Sequence, residues 1–280
     1  MFVPRKKQSK MKNSSALKNI KNKELILSGQ ELLSFTLKAS ELVNVENMIL
    51  EKDVRVNILL LDDSPIDLKV TQRKGTHLDF KIFNKNEINN SNITFDLHSE
   101  SELNVIFADF SHGKAIEKIT VNLLAKRAKC HWWLSSVSSD KDNKEFKVYI
   151  NHLAPETEAI ADSYGVAKHA SRLIFSGTSH VVNGAKRSKT RQNANIMVFS
   201  KEADALAKPI LEIDENDLEA SHSATLGQVN EEHLFYLRSR GINENEAKTL
   251  IVMGYLTPIL KKIENEDIKQ EIESLILARI

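Results

Sequence analysis

From about Glu24 to Ile213 the apolar residues recur at every second position in short runs, and that period excludes most helical architectures. Residues 77–83 (HLDFKIF) alternate, which places Leu78, Phe80 and Ile82 on one face. The same pattern returns at Ile93, Phe95 and Leu97, at Leu103, Val105 and Phe107, at Ile119, Val121 and Leu123, and at Phe146, Val148 and Ile150. Clusters of Asn, Asp, Ser or Lys bound each run, as polar turns between short strands would. No helical stretch of 10–15 residues interrupts the series, so a βαβ fold is disfavoured. A sandwich, a barrel and a solenoid all fit, although no exact tandem repeat is visible to favour the last.

After Ile213 the period lengthens to 3.6. Asn230 reads as the N-cap of a helix over 231–240, with Glu231 and Glu232 where the helix dipole favours anions. Gly241 follows as its stop. Asn243 with Glu246 forms a capping-box start for a second helix, whose expected inner face carries Ala247, Leu250, Ile251, Gly254 and Tyr255. Pro258 marks a break, and Ile268, Ile272, Leu275 and Ile276 give the stripe of a last helix. Helices this short must bury their faces on the β body, on a partner, or on both.

The net charge of +1 hides two opposing blocks. Residues 1–23 carry eight bases and no acid, leaving 31 bases against 38 acids in the rest. A basic segment of this kind suits RNA, a membrane surface or an organellar address, but its composition fits a disordered, solvated extension best. With 41% apolar residues, no run of 18 of them and no hydrophobic signal core, the expectation is a cytoplasmic globular protein. The lone Cys130 rules out an internal disulfide framework and a site built from cysteines alone.

Motifs for common enzymes are missing. There is no P-loop, no dinucleotide-binding glycine run, no nucleophile elbow and no His-Glu-x-x-His. Cys130 and His131 are adjacent, so on a strand they point to opposite faces and do not converge on an ion. Glu212, Asp214, Asp217 and Glu219 alternate loosely, and a β-helix lyase or hydrolase would place carboxylates along one face. A solvated face explains the same four residues.

The C-terminal half carries a resemblance. Lys208, Pro209, Leu211, Glu212 and Ile213 are followed by Ser221, His222, Ala224, Thr225 and Gly227, then by 235–242 (FYLRSRGI). Upstream, in the same order, come Asn151, His152, Ala154, Pro155 and Thr157, then 175–178 (FSGT) and 185–192 (AKRSKTRQ). This set is similar to the SufB/SufD family of iron–sulfur cluster assembly proteins, most of all its SufD branch. The match is strong over 145–280 and fades towards the N-terminus.

The resemblance implies a mainly β fold: a right-handed parallel β-helix over 24–215 and a small α-helical domain over 216–280, behind the basic tail of 1–23. It implies a scaffold rather than an enzyme, pairing with SufB through the β-helix ends and with the SufC ATPase through the C-terminal helices. ATP-driven movement of SufC would then open the SufB–SufD interface. His222 matches a family histidine that faces SufB, so it is the expected interface residue and a transient iron ligand; a cross-interface hydrogen bond is the other role open to it. Phe235, Tyr236, Arg238, Arg240 and Tyr255 are the candidates for SufC docking. Of the consecutive Phe235 and Tyr236, one is expected to pack inward. No permanent cofactor, nucleic acid or membrane is implied, only a transient cluster between subunits. Uncapped strand edges suggest a homodimer when the chain is alone.

Ala220 and Ser223 stand where many members have Cys and Gly, which removes any thiol beside His222. SufB usually has Glu at the place of Ser223, which favours the SufD branch. Members usually carry a further N-terminal helical region, whose place here is taken by the basic tail. The alternative reading is a stand-alone carbohydrate-active β-helix enzyme.

Overall fold

The alternating runs form strands that lie in two facing parallel sheets. The computed structural model describes residues 20–29, 32–61, 64–85, 87–263 and 266–279, so most of the expected basic extension, 1–19, lies outside the described residues. In chain order the strands begin with β1 (Ile20–Lys21), β2 (Glu24–Leu27), β3 (Leu32–Leu37), β4 (Asn47–Leu50), β5 (Arg55–Leu60) and β6 (Asp67–Gln72). Next come β7 (His77–Asn84), β8 (Glu87–Asn89), β9 (Asn92–Leu97), β10 (Glu102–Asp109), β11 (His112–Leu123) and β12 (Lys129–Ser138). The series ends with β13 (Asn143–His152), β14 (Glu158–Ala167), β15 (Arg172–Val181), β16 (Ser188–Val198), β17 (Asp204–Ile213) and β18 (Leu218–Gln228). Helices α1 (Glu231–Ser239), α2 (Glu244–Leu256) and α3 (Glu266–Arg279) follow, with a 3-10 turn over Thr257–Lys262.

One sheet runs β1-β2-β4-β6-β9-β11-β13-β15-β17 and the other β18-β16-β14-β12-β10-β7-β5-β3. From β2 onward the strands alternate between sheets, except that β8, which pairs with β11, joins β9 in the first; all pairings are parallel except the β1–β2 hairpin. This is a parallel β-helix. At one corner Glu100, Arg127, Glu156 and Arg187 all take left-handed φ of 58–63°. Each donates its backbone N–H to a carbonyl of the next turn, as Glu100 does to Lys126 at 3.1 Å and Glu156 to Lys186 at 2.8 Å. The hairpin of Ile20–Lys21 with β2 caps one end, which takes residues 20–23 out of the expected disordered tail.

Inward side chains fill the space between the sheets. Phe80 meets Phe95 edge-on at 5.4 Å, and Phe146 meets Phe107 and Phe175, each at 5.8 Å. Gly165 lies where this core narrows: a Cβ there would come within 2.6 Å of Leu173 Cδ2 and 2.7 Å of Phe175 Cζ. Gly165→Ala should therefore lose about 1–3 kcal/mol in urea unfolding, and a neutral result would show that the core yields.

A second apolar layer explains why strands β7, β10 and β12 alternate at first and are then buried on both faces. Their outward residues Phe83, Ile106, Ala108 and Val137 pack under Val252, Leu256, Ile268, Ile272 and Ile276. The helices thus lie along the flank of one sheet. α3 is also held by charge: Arg279 pairs with Asp142, and both side chains are buried. Next to that pair Lys144 Nζ donates to Asp109 Oδ2 at 2.8 Å and to the carbonyls of Ser111 and Val137.

The helix caps stand where the sequence places them. Asn230 Oδ1 accepts from the N–H of Glu232 at 2.8 Å, and Asn243 with Glu246 closes a capping box. Two expectations need correction. Strand structure continues past Ile213 and residue 216 to Gln228, because β18 is exposed on both faces and so lacks any apolar period to read. On α2 the buried residues are Ala247, Val252 and Leu256, whereas Leu250 is exposed; 249–256 is apolar nearly all round, so period alone does not pick the inner side.

Candidate functional site

The far end of the solenoid is open. Among the described residues β17 and β18 are the last strands of their sheets, each bonded along one edge only. Leu206, Ile213 and Leu226 are exposed there. Nearly every residue of β18 is exposed.

His222 sits in the middle of this end. The register pairs Trp132 with Ala161, Ala161 with Gln192, and Gln192 with His222, so the four form one column. Trp132 and Gln192 are buried in the interior, which puts His222 at the interior-facing position of a turn that has no turn above it. Ala220, Ala224 and Leu226 share its face by the two-residue period. Beneath it, Gln192 Nε2 donates to the Ile210 carbonyl at 3.2 Å and so ties β16 to β17, the last strand of the other sheet. A cavity of about 30 Å³, room for one or two waters, lies deeper among Trp132, Ala161, Gly177, Gln192 and Pro209.

A polar ladder on the opposite face fixes the register of β18. Ser223 Oγ donates to Asn193 Oδ1 at 2.8 Å, Asn193 Nδ2 donates to Asp162 Oδ1 at 2.6 Å, and Asp162 Oδ2 meets His131 Nε2 at 3.2 Å. Sequence reasoning missed this ladder, whose members are some 30 residues apart and become neighbours only once the turn length is known.

Cys130 and His131 do face opposite ways. Burial pushes the Cys130 thiol up to about 12, which makes it an inert core side chain. His131 instead stacks on Trp133 at 3.5 Å. The carboxylates of 212–219 do not converge: Asp214 meets His180 at 2.9 Å and Glu219 meets Lys189 at 2.7 Å. Among the described residues no group of three His, Cys, Asp or Glu side chains could hold a metal ion, and no helix is long and apolar enough to cross a membrane.

The helical candidates divide. Leu234 and Leu237 turn inward onto Val229, Met197 and Phe199, so the residues between them face out. Phe235 and Tyr236 are therefore both exposed, at 75% and 57%, in place of the one-in, one-out arrangement expected. Arg240 lies over the Tyr236 ring at 5.3 Å, and Arg238 reaches Glu244 at 3.6 Å. Tyr255 packs edge-on against Tyr164 at 5.5 Å, on the body of the solenoid.

The strands and helices define a two-sheet parallel β-helix with a helical flank. Residues 41–255 match the family model described as SUF system FeS cluster assembly, SufBD core domain, and the chain belongs to that family. Among curated relatives, the iron–sulfur cluster assembly protein SufD of Bacillus subtilis is 30% identical over 168 residues, 60% of this chain and 38% of that protein. SufD of Escherichia coli K12 is 33% identical over 115 residues, 41% of this chain and 26% of that protein. A SufBD family protein of Staphylococcus haemolyticus is 32% identical over 115 residues, 41% of this chain and 25% of its own length. The chain thus spans well under half the length of these relatives, and among SufB/SufD proteins it is most like SufD.

Proposed function

We propose that this chain is a non-catalytic, SufD-like scaffold subunit of a cytoplasmic SufB–SufC–SufD assembly that builds iron–sulfur clusters. The observation that carries the reading is His222 at the interior-facing position of an open solenoid end. A SufB-type subunit continues the β-helix there, and the nascent cluster is the cargo held between the two. A neutral imidazole is a reasonable ligand for iron, and thiolates from the partner complete the set. The exposed Phe235 and Tyr236 on α1 dock a SufC-type ATPase; Arg238 and Arg240 flank them, while Tyr255 supports the helices from inside.

Two substitutions test the parts separately in the co-expressed complex. His222→Ala should leave its mass unchanged and lower its iron and acid-labile sulfide by about tenfold or more. Unchanged cluster content would contradict the ligand role. Phe235→Ala with Tyr236→Ala should release the ATPase and keep the SufB-type subunit; full retention of the ATPase would place its dock elsewhere.

A further inference from the structure

His222 stands among apolar neighbours on its stretch of the lumen wall. On β18 the same face carries Leu218, Ala220, Ala224 and Leu226. Opposite, β17 turns Ala205, Ala207, Pro209 and Leu211 inward, in register with the interior-facing residues of β15. None of these side chains can accept a hydrogen bond from an imidazole. The turn beneath sets Thr190 under Ala220, Gln192 under His222 and Ala194 under Ala224. The polar side chain directly below the histidine is therefore that of Gln192.

The amide of Gln192 is held in one orientation. Nε2 donates to Ser179 Oγ at 2.5 Å and to the Ile210 carbonyl at 3.2 Å, and Thr190 Oγ1 donates to the same Ser179 oxygen at 3.0 Å. A carbonyl can only accept, so the Ile210 contact fixes which end of the amide is nitrogen. Both amide hydrogens are thus spent on the opposite sheet, and Oε1 meets no donor among the described residues. Gln192 is only 4% exposed, and an amide oxygen left without a donor at such a place is costly. The fold makes room for that oxygen: a Cβ at Gly177 would stand 2.9 Å from it. We propose that Gln192 is the positioning residue of His222. Its Oε1 accepts the hydrogen on one ring nitrogen, which fixes the tautomer and turns the lone pair of the other nitrogen out of the lumen towards the iron. The proposal rests on the reading of His222 as a ligand and adds what aims it. A metal-binding histidine ordinarily gives its second N–H to such an acceptor, which sets both tautomer and ring orientation. Gly177 acts at one remove, through the space it leaves for Oε1.

The test labels the histidines of the full chain with 15N and reads their tautomers from two-bond 1H–15N couplings at about pH 8, where a free imidazole is neutral. The His222 signals are assigned by their loss in His222→Ala. Wild type should show a single tautomer. Gln192→Met, equal in length but without an amide, should show the mixture of a free imidazole, with circular dichroism confirming that the variant folds. Gly177→Ala removes no hydrogen-bonding atom, yet it should shift the tautomer towards that mixture by displacing Oε1. A free-imidazole mixture in wild type, or variants that keep the wild-type tautomer, would overturn the proposal. In a second arm, the co-expressed complex carrying Gln192→Met should keep its mass and lose iron and acid-labile sulfide by about tenfold. Full cluster content in Gln192→Met, where His222→Ala loses it, would also overturn the proposal. Full content in both variants would count against the proposed function, while the tautomer still decides whether Gln192 holds the ring.

Discussion

Lys144→Ala should lower the stability of the chain by about 3–5 kcal/mol, the cost of removing one partner from a buried ion pair. Neither Lys144 nor Asp109 has any exposed side-chain surface. Burial pulls the Lys144 ammonium below its usual range, and the adjacent Asp109 carboxylate opposes that pull. Without the ammonium, Asp109 keeps, among the described residues, the hydroxyls of Ser111 and Ser136, and the Ser111 carbonyl loses the donor that Lys144 gives it. Arg279, which holds the end of α3, shares the Val137 carbonyl with Lys144, so the flank of the solenoid should loosen as well. Urea unfolding reads the loss, and a change below about 1 kcal/mol would show that water replaces the ammonium at little cost.

Stability should also fall as pH rises from about 5 to 8, and Glu117→Gln should remove that slope. Burial pushes the Glu117 carboxyl up to about 8, and Asp109 nearby pushes the same way. Its Oε2 accepts from the Ser91 N–H at 3.0 Å, while the buried Oε1 finds no partner among the described residues. Because the folded chain holds this proton more tightly than the unfolded chain does, the contribution is complete below about pH 4.5 and is lost as pH passes about 8. His152 works in the other direction. Its burial drives the imidazole down to about 4, so its contribution is present above about 6.5 and lost as pH falls through about 4. Melting temperatures of wild type and Glu117→Gln across pH 4–9 should diverge on the alkaline side, the variant staying flatter. Parallel curves would mean that Glu117 reaches solvent.

Legibility in the sequence follows from what each element buries. β9, β11 and β13 have one face in the core and one in water, so their alternation announces them. β18 buries neither face, and it appears only when the register with β16 is seen. The choice of a solenoid over a sandwich or barrel came from the resemblance, because period two is common to all three. Helix starts were readable because Asn230 and Asn243 cap them chemically, whereas the inner side of α2 and the outward pair on α1 depend on what the helices land on. His222 is marked in the sequence by its motif, and its column above Gln192 is a consequence of register. The buried network around Lys144 gives no local signal, since Asp109, Glu117, Lys144 and Arg279 are brought together only by the coil and by α3.

On the reading proposed above, this chain completes an assembly through its open end and its helical flank. Co-expressing it with SufB- and SufC-type subunits and weighing the purified particle by native mass spectrometry decides whether it does. The account predicts a stable particle containing all three chains. Recovery of this chain alone, folded and unaccompanied, would contradict it and leave the open end without the partner proposed for it.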